Sequence, residues 1–91
     1  MTTIAIFGKQ GCAKCETTKS KIRHFVMDWQ LDHKVQVVFH DMDTVDGRAE
    51  GMFHDVLDIP ATVVSRAGQS IARWDGVVPQ SEAVRSALEV A

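Results

Sequence analysis

The chain has two cysteines, Cys12 and Cys15, separated only by Ala13 and Lys14. A thiol pair at this spacing can do two kinds of chemistry. It can close into a disulfide and reopen, moving two electrons each time, or it can supply two sulfur ligands to a metal ion. A framework of structural disulfides is excluded, because no other cysteine exists to build one. In a reducing compartment such a pair is more often redox-active or metal-binding than a staple. A tetrahedral metal site would need two further ligands. There is no second cysteine pair, and His24, His33, His40 and His54 are scattered without forming a compact ligand pair. Redox chemistry is therefore the favoured reading, and a metal-binding or metal-trafficking module remains the alternative.

The elements that must position the pair can be read from the apolar pattern. Thr2 to Phe7 is a short apolar run ended by Gly8 and predicts a buried first strand. Gly8-Lys9-Gln10-Gly11 predicts a loop. From Ala13 onward, Thr18, Ile22, Phe25, Val26 and Trp29 recur at helical spacing, which predicts an amphipathic helix of about four turns. Val35 to Phe39 is rich in β-branched residues and predicts a second strand. A second helix is expected from Val45 to Leu57, although Gly47 and Gly51 each weaken a helix interior by roughly 1 kcal/mol. After Pro60, Ala61 to Val64 predicts a third strand, Arg66-Ala67-Gly68-Gln69 a hairpin turn, and Ile71 to Trp74 an antiparallel fourth strand. A last helix follows Pro79, with Ser81 as its expected cap and Ala83, Val84, Ala87 and Leu88 on its buried face. The order β-α-β-α-β-β-α implies an α/β domain over residues 1–91, a four-stranded mixed sheet flanked by three helices.

This order puts Cys12 between the first strand and the first helix, with Cys15 one turn further on. Unpaired N–H groups and the helix dipole at a helix start favour negative charge, so a thiolate at Cys12 is stabilised there. Lys9 and Lys14 add positive charge nearby. Cys12 is then the nucleophile toward a disulfide and Cys15 the resolving thiol, expected to be the more buried of the two. His40, at the end of the second strand, is the histidine to examine as a proton carrier. Trp29 and Trp74 are read as packing residues.

Composition narrows the class. Apolar residues make up 45% of the 91-residue chain, enough for one core, and a charged fraction of 24% argues against disorder. A formal net charge of −2 gives no reason to expect nucleic acid or an anionic membrane as partner. Lys9, Lys14, Lys19, Lys21 and Arg23 cluster in one stretch; the simplest reading is a solvated helix face, and around an active site the cluster would favour acidic substrate surfaces. Asp41, Asp43 and Asp46 do not belong to a twelve-residue calcium loop ending in a ligating Glu. No basic stretch followed by an apolar signal segment opens the chain, and no apolar run approaches about 18 residues. A soluble, cytoplasmic monomer is expected.

The chain resembles the thioredoxin/glutaredoxin superfamily in four places: Ile6-Phe7-Gly8-Lys9-Gln10-Gly11-Cys12-Ala13-Lys14-Cys15, Ile59-Pro60-Ala61-Thr62, Gly68 in the hairpin, and Gly76 ahead of the last helix. The sequence alone does not choose an isomer for Ile59-Pro60; the resemblance implies a cis bond beside the cysteines, with the Ile59 backbone pairing with a bound polypeptide or glutathione. It further implies a thiol–disulfide oxidoreductase with no bound organic cofactor, acting on disulfide-bearing proteins and re-reduced by a donor of the thioredoxin-reductase type. Two departures stand out. Ala13-Lys14 matches neither the Gly-Pro usual in thioredoxins nor the Pro-Tyr usual in glutaredoxins. The first-strand carboxylate of thioredoxins has no counterpart among Ile4, Ala5, Ile6 and Phe7, so deprotonating Cys15 falls to water or another base such as Lys14. Phe7-Gly8-Lys9 resembles glutaredoxins, in which the equivalent Lys holds a glutathione carboxylate. Trp74-Asp75-Gly76, however, offers only Asp75 for the glutathione amino group. A protein-disulfide reductant is thus favoured over a glutathione-dependent glutaredoxin, for which glutathione would be a co-substrate. A module of this fold with incidental thiols is a further alternative.

Overall fold

The structure is a computed structural model and describes residues 2–90. Its elements follow the expected order: β1 (Thr2–Gly8), α1 (Ala13–Asp28), β2 (Val35–Asp41), α2 (Val45–Phe53), β3 (Ala61–Arg66), β4 (Gln69–Asp75) and α3 (Ser81–Val90). The four strands lie in the order β2-β1-β3-β4. β1 pairs with β2 in parallel and with β3 antiparallel, and β3 pairs antiparallel with β4. β1 is therefore central, which explains its unbroken apolar run: a strand covered on both faces has no polar side.

Strand alternation divides that run between two cores. Ile4 and Ile6 join Ile22, Phe25 and Val26 of α1, together with Val35, Val64 and Val84 of α3. Ala5 and Phe7 point the other way and join Val56, Ala61 and Val63, with Met42 and Ile59 packed at the margin. The result is three layers, with α1 and α3 on one face of the sheet and α2 on the other. β4, one of the two edge strands, is mostly exposed and carries Gln69, Ser70, Arg73 and Asp75, polar side chains that discourage pairing with another chain.

Several boundaries differ from those expected. α2 stops at Phe53 rather than Leu57. The Asp55 N–H donates to the Met52 carbonyl at 3.2 Å and the Val56 N–H to the Gly51 carbonyl at 2.8 Å, while Asp55 takes φ +55. That is a Schellman stop built on aspartate instead of glycine. α1 ends the same way on Gln30, φ +57, with Leu31 N–H donating to Val26 at 2.8 Å. Ser81 is the first residue of α3 and not its cap, because the Gln80 carbonyl already accepts from Val84 N–H at 3.2 Å. β2, β3 and β4 each run beyond the expected ends, leaving Ala67 (φ +52) and Gly68 (φ +83) as a two-residue turn with both residues left-handed, the geometry that suits a twisted hairpin.

The two glycines that weaken α2 as a helix are what dock it. They are its buried residues, four apart on one face. A Cβ on Gly51 would strike the Met42 thioether, and one on Gly47 would overlap the Asp41 carbonyl. Gly47→Ala is accordingly expected to lower the unfolding free energy by about 1–3 kcal/mol, the usual range for overpacking. A urea midpoint equal to wild type would show that α2 can move off β2 without cost.

Candidate functional site

β1 ends in Gly8, and the chain turns through Gly11 (φ +80) before α1 begins at Ala13. Cys12 is the N-cap of α1: its backbone is extended, its carbonyl accepts from Glu16 N–H at 3.0 Å, and its Sγ accepts from Cys15 N–H at 3.2 Å. A sulfur thus sits where serine or aspartate usually caps a helix, facing the N–H groups that favour a negative atom. Cys12 and Cys15 form a disulfide with their Cα atoms 5.2 Å apart. Cys12 is half-buried while Cys15 is fully buried, so Cys15 is the more buried of the two as expected.

Cys15 is seated against β1. A Cβ built on Gly8 would lie 2.8 Å from Cys15 Cβ and 2.9 Å from its Sγ, and 3.3 Å from the Phe39 ring. Only a residue without a side chain lets the first turn of α1 approach the strand this closely. Ile6, two residues before Gly8, is fully buried; its partner on β2 is Phe39 and on β3 Thr62, whose hydroxyl is buried without a hydrogen-bond partner among the described residues. Lys19, one turn beyond Cys15 on α1, places its Nζ 4.6 Å from the centre of the Phe39 ring. Sequence reasoning took Gly8 only as the end of a strand and Lys19 only as part of a solvated face. Parity along β2, which sets Phe39 on the α1 side, is the signal that could have found the second contact.

The Ile59–Pro60 bond is cis, and Pro60 is buried. Ala61 pairs with Phe7, the residue before Gly8, so Pro60 lies at the same end of the sheet as the cysteine loop. A short chain of hydrogen bonds joins the two. Gly76 N–H donates to the Pro60 carbonyl at 2.8 Å, and Lys14 Nζ donates to the Gly76 carbonyl at 3.3 Å. Gly76 takes φ +73 here. Lys9 turns the other way, its Nζ 3.6 Å from Asp43 Oδ1 in the loop after β2. Asp75 is held by Arg73 through two hydrogen bonds, Nε to Oδ2 at 3.0 Å and a terminal guanidinium nitrogen to Oδ1 at 2.8 Å, which keeps its carboxyl below the usual carboxylate range.

His40 is not at the cysteines. Alternation along β2 turns it to the α2 face, where its ring stacks on Phe7 at 4.8 Å with His54 on the other part of the same ring. The proton-carrier role considered for it is thereby corrected: the sheet separates it from Cys15. Trp29 caps α1 at the end remote from the cysteines, stacked on Phe25 at 4.6 Å, and Trp74 packs against the α1/α3 core. Among the described residues, no three His, Cys, Asp or Glu side chains converge as metal ligands, and no helix is long and apolar enough to cross a membrane.

No protein-family model and no curated protein matches the sequence. Solved structures do match in shape. Thioredoxin-2 of the malaria parasite, described as a component of its protein secretion machinery, superposes with a TM-score of 0.85 at 12% identity, over 100% of this chain and 84% of that one. Thioredoxin from Fasciola hepatica gives 0.77 at 15% identity, covering 97% and 79%. Thioredoxin 1 from Thermosipho africanus gives 0.76 at 15% identity, covering 97% and 91%. At these identities the likeness establishes the fold: the chain has the thioredoxin fold, with a CxxC-spaced cysteine pair.

Two expectations follow from the site's geometry. Gly8→Ala forces Cys15 off the strand and should make it react severalfold faster with iodoacetamide in the reduced protein; an unchanged rate would mean the close seat is not what shields it. Burial, opposed by Glu50 and reinforced by His54, holds the His40 imidazole below its ordinary value of 6.5. The unfolded chain then takes up this proton at higher pH than the folded one. This contribution to stability is therefore complete above the ordinary value and is lost as pH falls below it toward the folded value. His40→Phe should lose less stability than wild type between about pH 7 and about pH 5, read by urea titration at each pH.

Proposed function

We propose that the chain is a thiol–disulfide oxidoreductase acting on disulfide-bearing proteins. The observation that carries this reading is the pair itself: a half-exposed Cys12 capping α1, bonded to a Cys15 with no exposure. In the reduced protein the Cys12 thiolate attacks one sulfur of a substrate disulfide, forming a mixed disulfide and releasing the other substrate sulfur as a thiolate that takes up a proton. Cys15, its proton passing to water, then attacks Cys12 Sγ. The Cys12–Cys15 disulfide forms and the second substrate thiolate leaves. Two electrons pass to the substrate in the cycle, and a dithiol donor of the thioredoxin-reductase type returns them by the reverse exchange.

The groove supports the same reading. Ile59 and Pro60 stand at the sheet end beside the cysteine loop, where the Ile59 backbone would align a substrate strand across Cys12. Lys14, in the first turn of α1, supplies positive charge on the cysteine side, while Lys9 is paired with Asp43. A glutathione-dependent role is less favoured, since the lysine that would hold a glutathione carboxylate is paired with Asp43, and Asp75 is gripped by Arg73. We further propose that the protein acts as a monomer without a bound cofactor, in a reducing compartment such as the cytoplasm, where the dithiol state persists.

Cys12→Ser is expected to reduce insulin-disulfide reduction to background, and Cys15→Ser to accumulate mixed disulfides on Cys12 that reducing agents release. Full activity in Cys12→Ser would overturn the proposal. Coupling to NADPH oxidation separates the branches, with thioredoxin reductase expected to sustain turnover and glutathione with glutathione reductase expected to fail.

A further inference from the structure

Four cations lie around the cysteine end, and their partners differ. Lys9 is paired with Asp43 and Arg73 with Asp75. Lys19 lies over the Phe39 ring. Lys14 is exposed, and among the described residues no carboxylate stands within ion-pair distance of it; its bond is to the neutral Gly76 carbonyl at 3.3 Å. That carbonyl belongs to a residue already tied to the groove wall, because the Gly76 N–H donates to the Pro60 carbonyl. The Lys14 side chain therefore reaches from the first turn of α1 to the wall beside the cis proline.

Resting on the oxidoreductase reading above, we propose that Lys14 selects substrates whose attacked cysteine has a carboxylate next to it, by exchanging the Gly76 carbonyl for that carboxylate. A charge-assisted ammonium–carboxylate bond is shorter and roughly twice as strong as one to a neutral acceptor. The bond it replaces is long and solvent-exposed, so its loss opposes the exchange only weakly. The other side of Gly76 has the opposite sign. Asp58 borders it, its Cβ 3.3 Å from where a Gly76 Cβ would stand, and shares a hollow with Asp55, Asp75 and Arg73. Charge is thus uneven across the groove: the cysteine-helix side holds Lys14 together with Glu16, whereas three carboxylates lie beyond Gly76. A carboxylate is welcomed only on the Lys14 side, which makes the position of the acidic residue, and not the substrate's total charge, the selected feature. Val77, 48% exposed, adds an apolar contact to the wall that such a segment would touch.

The test mixes the reduced protein in single turnovers with three disulfide-linked fluorogenic peptides that carry Glu, Gln or Lys next to the attacked cysteine. Wild type is expected to react about threefold to tenfold faster with the Glu than with the Lys peptide, the range for one exposed pair set against its repulsive counterpart. The ratio should shrink as salt rises. Lys14→Met should bring it close to one, and Lys14→Glu should invert it. Equal rates for the three peptides in wild type would overturn the proposal while leaving the oxidoreductase reading standing. So would a Lys14→Met variant that slows all three alike, since that is the mark of a general effect on the sulfur. If none of the peptides is reduced while both thiols titrate with a thiol reagent, the oxidoreductase reading itself fails and this proposal with it.

Discussion

The cysteine end of the molecule is organised by how closely the first turn of α1 approaches the end of β1. Cys15 lies on the backbone of Gly8 with no room for a methyl between them. That contact buries one sulfur and leaves the other, three residues earlier, at the helix cap where solvent and a partner can reach it. The asymmetry between the two thiols is therefore set by helix-to-strand packing, with no dedicated charged group behind it. It also fixes where the groove must be. β1 carries the seat for Cys15 on one side and pairs through Phe7 with Ala61 on the other, so the residue before Ala61 is held at the same sheet end.

The electrostatics of this end are sparse. On this face β1 carries no ionisable side chain, and two of the basic groups are engaged elsewhere, by a carboxylate for Lys9 and an aromatic ring for Lys19. What is left to favour a sulfur anion is the start of α1 and the single side chain of Lys14. A site with so few charges works through preorganised backbone dipoles, and those do not need to rearrange when the anion forms.

Much of this was legible in the sequence. The apolar run of β1 could only be a covered strand. A CxxC pair directly after it could only fall at a strand-to-helix junction, and Gly68 marked the hairpin. The misreadings have physical reasons. Both α1 and α2 stop on left-handed residues that are not glycine, Gln30 and Asp55, so the usual punctuation was missing and α2 was extended past its end. A non-glycine residue in that conformation costs only about 1–2 kcal/mol, which the following hydrogen bonds and the burial of Val56 offset. His40 was the histidine to examine as a proton carrier because it lies at the right end of β2. Strand parity, which puts it on the opposite face from Phe39, was not applied. Gly47 and Gly51 read as defects in isolation because propensity knows nothing of the surface a helix docks onto.

Those same glycines give the two sides of the sheet different character. On the α1/α3 side, interlocking aliphatic and aromatic side chains hold the layers together. On the other side α2 buries only glycine, while Met52 and Phe53 stand 80% and 78% exposed. The second core, with Phe7, Ala61 and Val63 fully buried, still lies beneath this side of the sheet, so the layer cannot lift without uncovering it. The two faces are thus joined by different means: α1 and α3 hold on through side chains, and α2 through the closeness of its own backbone at Gly47 and Gly51.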